Sequence, residues 1–223
     1  MATKIIVSYD GTDNDHDALA LGRLLAGPGA SLELAYVRHA HEVESGRERL
    51  AEAEARALLE RGAEAVGRPD LPRHVVLSAS TPAGLRELAL TEGASVIVFG
   101  SEYRTAPGHV DPQASARRLL DGGPVAIAVA PAGLGDRNGF AVQTVGAVAE
   151  EGDPCALETA AGLAAQFGAR VVTSANPDFL VGGSKPGTVT GRVTISAAAE
   201  YVIELTRAPV LVLPRGIAVA FGR

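Results

Sequence analysis

The sequence predicts an α/β protein: a five-stranded parallel doubly wound sheet, followed by a second, truncated α/β repeat. Three observations carry that reading. Short apolar runs bounded by Gly and Pro, the pattern of fully buried strands, alternate with longer segments of helical periodicity. The stretch from Val96 to Pro131 reads as an apolar run ending on Gly100, a polar loop, a short helix and a second apolar run. A strand, helix and strand in that order make a parallel crossover. An altered form of that stretch returns near the C-terminus.

Lys4 to Tyr9 is the first strand pattern, closed by the turn and cap residues Asp10, Gly11 and Thr12. Leucines from Leu19 to Leu25 set a helical period that Gly27, Pro28 and Gly29 stop. Ser31 to Val37 is a strand, and Glu42 to Val66 a long, charged helix with a solvated outer face. Arg73 to Ala79 is the third strand. Thr81-Pro82 opens a third helix, with proline in its first turn. Ala94 to Phe99 and Val125 to Ala130 flank the loop and the fourth helix. The expected boundaries are a first α/β domain at 1–131, a glycine-rich linker at 132–139 and the repeat at 140–223. In the repeat, Phe140 to Val148, Arg170 to Thr173, Phe179 to Gly183 and Pro209 to Pro214 read as strands. Ala156 to Phe167 and Ser196 to Arg207 read as helices. Only a turn joins the second and third of those strands, so the repeat lacks two helices and a strand.

Composition excludes several function classes. A net charge of -6 without a compact Lys/Arg cluster argues against a nucleic-acid partner, and 4% aromatics argues against base stacking. Cys155 is the single cysteine, so no intrachain disulfide forms and a reducing compartment is the natural reading. No apolar run reaches the ~20 residues of a membrane helix, and the N-terminus lacks a signal-peptide pattern. The expectation is a soluble, cytoplasmic protein without a membrane partner.

With IIVSYDGT at its start, VIVFGS before the loop and GGPVAIAVAPAG after it, the chain resembles the universal stress protein family; FLVGGSKPGT and APVLVLPRG carry the likeness into the repeat. The resemblance implies an adenine nucleotide alpha hydrolase-like fold and a stress-related role. Many members bind ATP and others do not. The family's nucleotide motif runs glycine, two residues, glycine, nine residues, then glycine and Ser/Thr. Here Gly100 matches the first glycine; Tyr103 and Gln113 stand at the second and third, and Ala114 at the hydroxyl position, with Ser115 one residue later. Glycines let backbone N–H groups approach phosphates, and the side chains of Tyr103 and Gln113 intrude where the family leaves space.

By resemblance, Asp10 matches the acid that contacts adenosine, with Gly11 beside it, and Val37 falls where backbone groups contact adenine. Gly100, Ser101, Ala114 and Ser115 frame the phosphate end. The implied cofactor is ATP or another adenine nucleotide, with no metal beyond its magnesium. The implied assembly is an intramolecular pseudo-dimer of the two repeats, a homodimer also being compatible. In the repeat the Asp10 position falls near Val145, and Ser196-Ala197 replace Gly-Ser, so the repeat reads as a structural half.

Each candidate has a plainer role beside it. Asp10 would cap the first helix together with Thr12 and Asp13, and Ser115 would cap the fourth. Tyr103, Arg104 and His109 would be ordinary loop residues, and His39 and His41 are spaced like ligands without a fixed partner. Cys155 at a helix start would be a lowered-pKa thiol or a small buried residue. No catalytic constellation is present: no G-x-S-x-G elbow, no Walker lysine and no G-x-G-x-x-G after the first strand. The alternatives to a nucleotide-binding module are an interaction protein and, last, a weak nucleotide hydrolase.

Overall fold

The computed structural model describes residues 3–27, 29–39, 45–137, 139–173 and 176–221. In the first part, β1 (Thr3–Ser8), α1 (Asp15–Ala26), β2 (Ala30–His39), α2 (Ser45–Ala65), β3 (Arg73–Ser78), α3 (Thr81–Glu92), β4 (Val96–Phe99), α4 (Ala114–Leu120) and β5 (Ala126–Val129) follow one another. β6 (Thr144–Val148), α5 (Cys155–Phe167), β7 (Arg170–Val172), β8 (Phe179–Gly182), α6 (Ala197–Leu205) and β9 (Val210–Val212) complete the chain. The nine strands form one sheet in the order β3-β2-β1-β4-β5-β9-β8-β6-β7. The fold is the expected α/β class, and β1 to β5 make the expected parallel array. The one antiparallel pairing among the described strands joins β5 to β9, with Ala128 opposite Leu211.

Both sheet faces are buried, which is why the strands read as unbroken apolar runs rather than alternating ones. One core holds Ile5, Val7, Leu21 and Leu25 together with Phe179, Val181 and Leu211. The other holds Ile6, Ile97, Phe99 and Leu119 together with Leu180, Ile203 and Val210. Each core therefore crosses the β5–β9 join. Phe167 and Phe179 meet with ring centroids 6.1 Å apart, within the range of favourable aromatic pairs.

The segment after β5 is held in place. Asp17, buried on α1, accepts the Gly133 and Gly135 amides, each at 2.8 Å, on its two carboxylate oxygens. Leu134 between them enters the core. The expected strand from Phe140 begins only at Thr144. A turn from Phe140 N–H to the Arg137 carbonyl precedes it, and the Asp178 carboxylate takes the Gln143 and Thr144 amides. A side chain replaces the ladder there. β7 and β8 are parallel neighbours of β6, yet only residues 173–178 connect them. Parallel strands ordinarily need a long crossover; a strand of three residues is ~10 Å long, and six residues span the return.

Hydrogen bonds recur at fixed spacing. Ser101 Oγ donates to the Ala130 carbonyl at 2.6 Å and accepts from Asp111 N–H at 3.1 Å. Ser184, 83 positions on (184 minus 101), donates to the Leu213 carbonyl at 2.7 Å and accepts from Thr194 N–H at 3.0 Å. Gly108 N–H to the Ala132 carbonyl has its counterpart in Gly191 N–H to the Arg215 carbonyl. Glu102 N–H to the Asp111 carbonyl has its counterpart in Lys185 N–H to the Thr194 carbonyl.

Candidate functional site

The strand register sets the geometry of the carboxyl edge. Ser8 pairs with Ala35, which puts Val37 level with Asp10, and Val98 pairs with Val7, which puts Gly100 level with Tyr9. Asp10, Gly11, Val37 and Gly100 thus reach one edge of the sheet, with the loop from Ser101 to Ser115 beside them. In open α/β sheets ligands bind outside this edge.

The β1–α1 turn is organised by a residue that the sequence reading missed. Asp15 Oδ2 accepts the amides of Asp10 and Gly11, each at 2.6 Å, and of Thr12 at 3.3 Å. Its own carboxylate therefore fills the backbone nest at the start of α1. Asp15 is 3% exposed. Burial, and then the neighbouring Asp10 charge, push its carboxyl up to about 7 against the pull of those amides. The run DGTDND was the available signal; one acid in it had to receive the turn's amides. Asp10 itself is exposed, and its Oδ1 accepts Thr12 N–H at 3.1 Å. Asn14, without a side-chain cap bond, holds the N-cap position expected of the Asp10 group. Gly11 has φ +82°, and a Cβ there would stand 2.5 Å from Leu58 Cδ1.

Val37 is buried in the second core, and Gly84 on α3 leaves room for it: a Cβ at Gly84 would be 2.9 Å from Val37 Cγ1. Its neighbour Arg38, another residue missed, is buried, and its Nε has no hydrogen-bond partner among the described residues. The signal was a charge inside the strand run SLELAYVRH. Gly100 is required by close approach, since a Cβ there would lie 2.3 Å from the Asn14 carbonyl oxygen. Ser101 is 2% exposed, and its hydroxyl is committed to Ala130 and Asp111.

In the loop, Tyr103 is exposed and the Arg104 guanidinium lies 5.0 Å from its ring centroid. His109 is half-buried, and its backbone ties the loop to Ala132. Gln113 is the N-cap of α4 and Ala114 its first residue. Ser115 lies inside the helix, so it does not cap it, in contrast to the expectation. Arg117 pairs with Asp111, while Arg118 is exposed.

Elsewhere, His39 Nε2 lies 3.5 Å from Thr81 Oγ1, and His41 lies outside the described residues. Cys155 is buried, and burial, then the Asp153 partner, push its thiol up to about 11, opposite in direction to a lowered-pKa thiol and in keeping with the small buried residue. Among the described residues, Glu33, His74 and Glu92 bring three potential ligand atoms within 4.8 Å. Lys4 Nζ already stands 3.2 Å from Glu33 Oε1 and 2.9 Å from Glu92 Oε2, and His74 Nε2 is 2.8 Å from the other Glu33 oxygen. The ammonium neutralises the group where a cation would sit, which makes it an ion-pair network across β1, β2, β3 and α3.

Residues 1–131 match the model of the universal stress protein family, and the chain belongs to that family. No curated protein matches. Among solved structures, a universal stress protein from Archaeoglobus fulgidus DSM 4304 is 13% identical with a TM-score of 0.67, over 97% of this chain and all of that one (100%). A functionally unknown protein from Pseudomonas aeruginosa PAO1 is 13% identical with a TM-score of 0.61, over 96% of this chain and 93% of that one. These likenesses extend the fold over both parts of the chain. No helix among the described residues is long and apolar enough to cross a membrane.

Proposed function

We propose that this is a stress-response binding protein built as a tandem. Residues 1–131 carry one adenine-nucleotide or anion site, and residues 140–223 act as an attached, non-binding dimer partner joined through the segment 132–139. The observation that carries the site is the meeting of Asp10, Gly11, Val37 and Gly100 at the carboxyl edge. Asp10 keeps an exposed carboxylate for a ribose hydroxyl. Backbone groups near Val37 would meet the base, Ser101 ties the loop to the end of β5, and the amides of Ala114 and Ser115, at the start of α4, would meet phosphate. A bound nucleotide would bring its own magnesium.

The constant spacing of the Ser101 and Ser184 bonds supports the tandem, and antiparallel β5·β9 pairing supports the pseudo-dimer. One observation favours a second reading, an interaction protein without nucleotide: the nest at Asp10 to Thr12 is occupied by Asp15.

Thermal unfolding with ATP, AMP and phosphate separates the two. A ligand at 100 times its Kd adds about 2.7 kcal/mol of stability. A shift with ATP that Asp10→Ala removes supports the nucleotide site. A shift with phosphate alone leaves only the anion end. Unchanged unfolding with all three supports the interaction protein.

A further inference from the structure

Near its carboxyl end β2 carries a buried charge that the fold does not pair. Arg38 stands one residue past Val37 and is 7% exposed. A guanidinium has five N–H donors and stays charged throughout the pH range of a folded protein. Among the described residues none of its nitrogens has a hydrogen bond or an ion pair, and Nε is shut off from solvent. Buried charges are otherwise paired, because leaving water without a partner is costly. Glu52 on α2 is the acid that senses Arg38: its carboxyl is held below the usual range by Arg56 first and by Arg38 after it. That carboxylate is already taken, since Arg56 donates to its Oε1 from Nε at 3.2 Å and from Nη2 at 2.6 Å. Two guanidiniums beside one carboxylate leave a positive charge to be met by an anion from outside the chain.

The position of Arg38 narrows what that anion is. Ser8 pairs with Ala35, so Val37 is level with Asp10 and Arg38 with Gly11. Arg38 is thus one residue further along β2 than the backbone assigned to the base. It lies across the ladder from the turn whose Asp10 is assigned to the ribose. Val37 packs in the second core and Tyr36 against the first, so Arg38 lies on the α2 side of the sheet. The phosphate end is elsewhere: β1 stands between β2 and β4, which puts Gly100 two strand spacings away, about 10 Å. An anion at Arg38 is therefore not the 5′-phosphate. In doubly wound dinucleotide-binding sheets an arginine beside the ribose accommodates a phosphate on its 2′ oxygen.

We propose that Arg38 binds a second phosphate, carried on the 2′ or 3′ oxygen of the nucleotide's ribose. This rests on the nucleotide reading of the Asp10 edge. It narrows that reading to adenosine bisphosphates and to larger molecules that end in one.

The test is calorimetric titration of the full chain with adenosine 2′,5′-bisphosphate, adenosine 3′,5′-bisphosphate and AMP. At least one bisphosphate is expected to bind about tenfold tighter than AMP, the scale of one charge-assisted contact. The one that does so assigns the oxygen that carries the phosphate. Arg38→Met keeps an aliphatic stem and removes the charge. It should bring the bisphosphate to the affinity of AMP and leave AMP unchanged. Unfolding without ligand is an independent readout. An unpaired buried charge does not hold the fold together, so the variant should melt at or above the temperature of the native chain. A lower melting temperature would mean that Arg38 has a partner inside the protein, and would overturn the proposal. AMP binding as tightly as both bisphosphates, or a bisphosphate preference that survives Arg38→Met, would overturn it while leaving the nucleotide site standing. If none of the three compounds binds, the nucleotide reading falls and this one with it.

Discussion

At the residue scale, Gly100 and Gly183 are equivalent in sequence and opposite in surroundings. A Cβ at Gly100 meets the Asn14 carbonyl oxygen at 2.3 Å, a backbone atom that cannot step aside. At Gly183 the nearest atom is Glu150 Cγ at 3.7 Å, an ordinary contact. Gly100→Ala is therefore expected to cost about 1–3 kcal/mol, the range of overpacked sites, and Gly183→Ala under about 0.5 kcal/mol, as urea unfolding will show. Equal costs would remove the steric account of Gly100. Lost ligand binding in a Gly100 variant thus reports folding before chemistry. Asp15 gives a pH signature. Unfolded, its carboxyl releases a proton near pH 3.9; folded, it holds the proton to about 7. Between those values the folded state binds more protons, so stability falls as pH rises and then levels off. The loss attributable to Asp15 is on the order of a few kcal/mol. Asp15→Asn keeps an oxygen for the three amides and cannot ionise. The difference between native and variant stability should therefore shift toward the variant from pH 4 to 7 and stay constant above. A difference independent of pH would contradict the raised carboxyl.

At the element scale, the succession of strands and helices in the first part was legible because buried parallel strands write themselves as apolar runs between Gly and Pro. The carboxyl edge beside Gly100 followed from the strand-helix-strand pattern, and the family resemblance brought Asp10 and Val37 to it. What escaped the sequence were bonds made by side chains across long separations. Asp15 and Asp178 looked like acids in polar turns, and nothing singled out Asp17. Each instead receives backbone amides that no periodicity encodes. Asp178 shows the consequence for an element. Its Oδ2 accepts the Gln143 amide, the Thr144 amide and the Thr144 hydroxyl at 3.0, 2.9 and 2.8 Å. Its own amide donates to Thr144 Oγ1 at 3.0 Å. This clamp starts β6 and fixes the short return from β7 to β8. Asp178→Ala should cost about 1–3 kcal/mol, the penalty for stranding such donors. The loss is expected to be local, with hydrogen exchange accelerating in β6 and β7 while β1 and β4 keep their protection. Uniform acceleration would mean that the clamp serves the whole sheet.

At the scale of the whole molecule, the question is whether the two parts unfold separately. The second part has one helix on each face of its strands and ends at the three-residue edge strand β7, so it buries too little alone to be stable. Its apolar residues are placed in cores that begin in the first part: Leu211 with Val7 and Leu21, and Val210 with Ile97 and Phe99. The join is short in ladder pairs, three between β5 and β9, but it is covered on both faces. The segment after β5 is pinned to α1 by Asp17, and the end of the chain returns to β1, where Thr3 Oγ1 donates to the Ala220 carbonyl. Contacts that continuous leave no polar seam along which one part could melt first. A single cooperative transition by far-UV circular dichroism is expected, with hydrogen exchange in β1 and β8 converging on one opening energy. Leu211→Ala tests the coupling. The side chain is 0% exposed at the join, and truncation there should cost about 2–5 kcal/mol. If the parts are one unit, the whole transition moves to lower temperature and β1 loses protection together with β8. Two transitions, with Leu211→Ala lowering one and sparing the other, would make the parts separate folding units held together only by the chain.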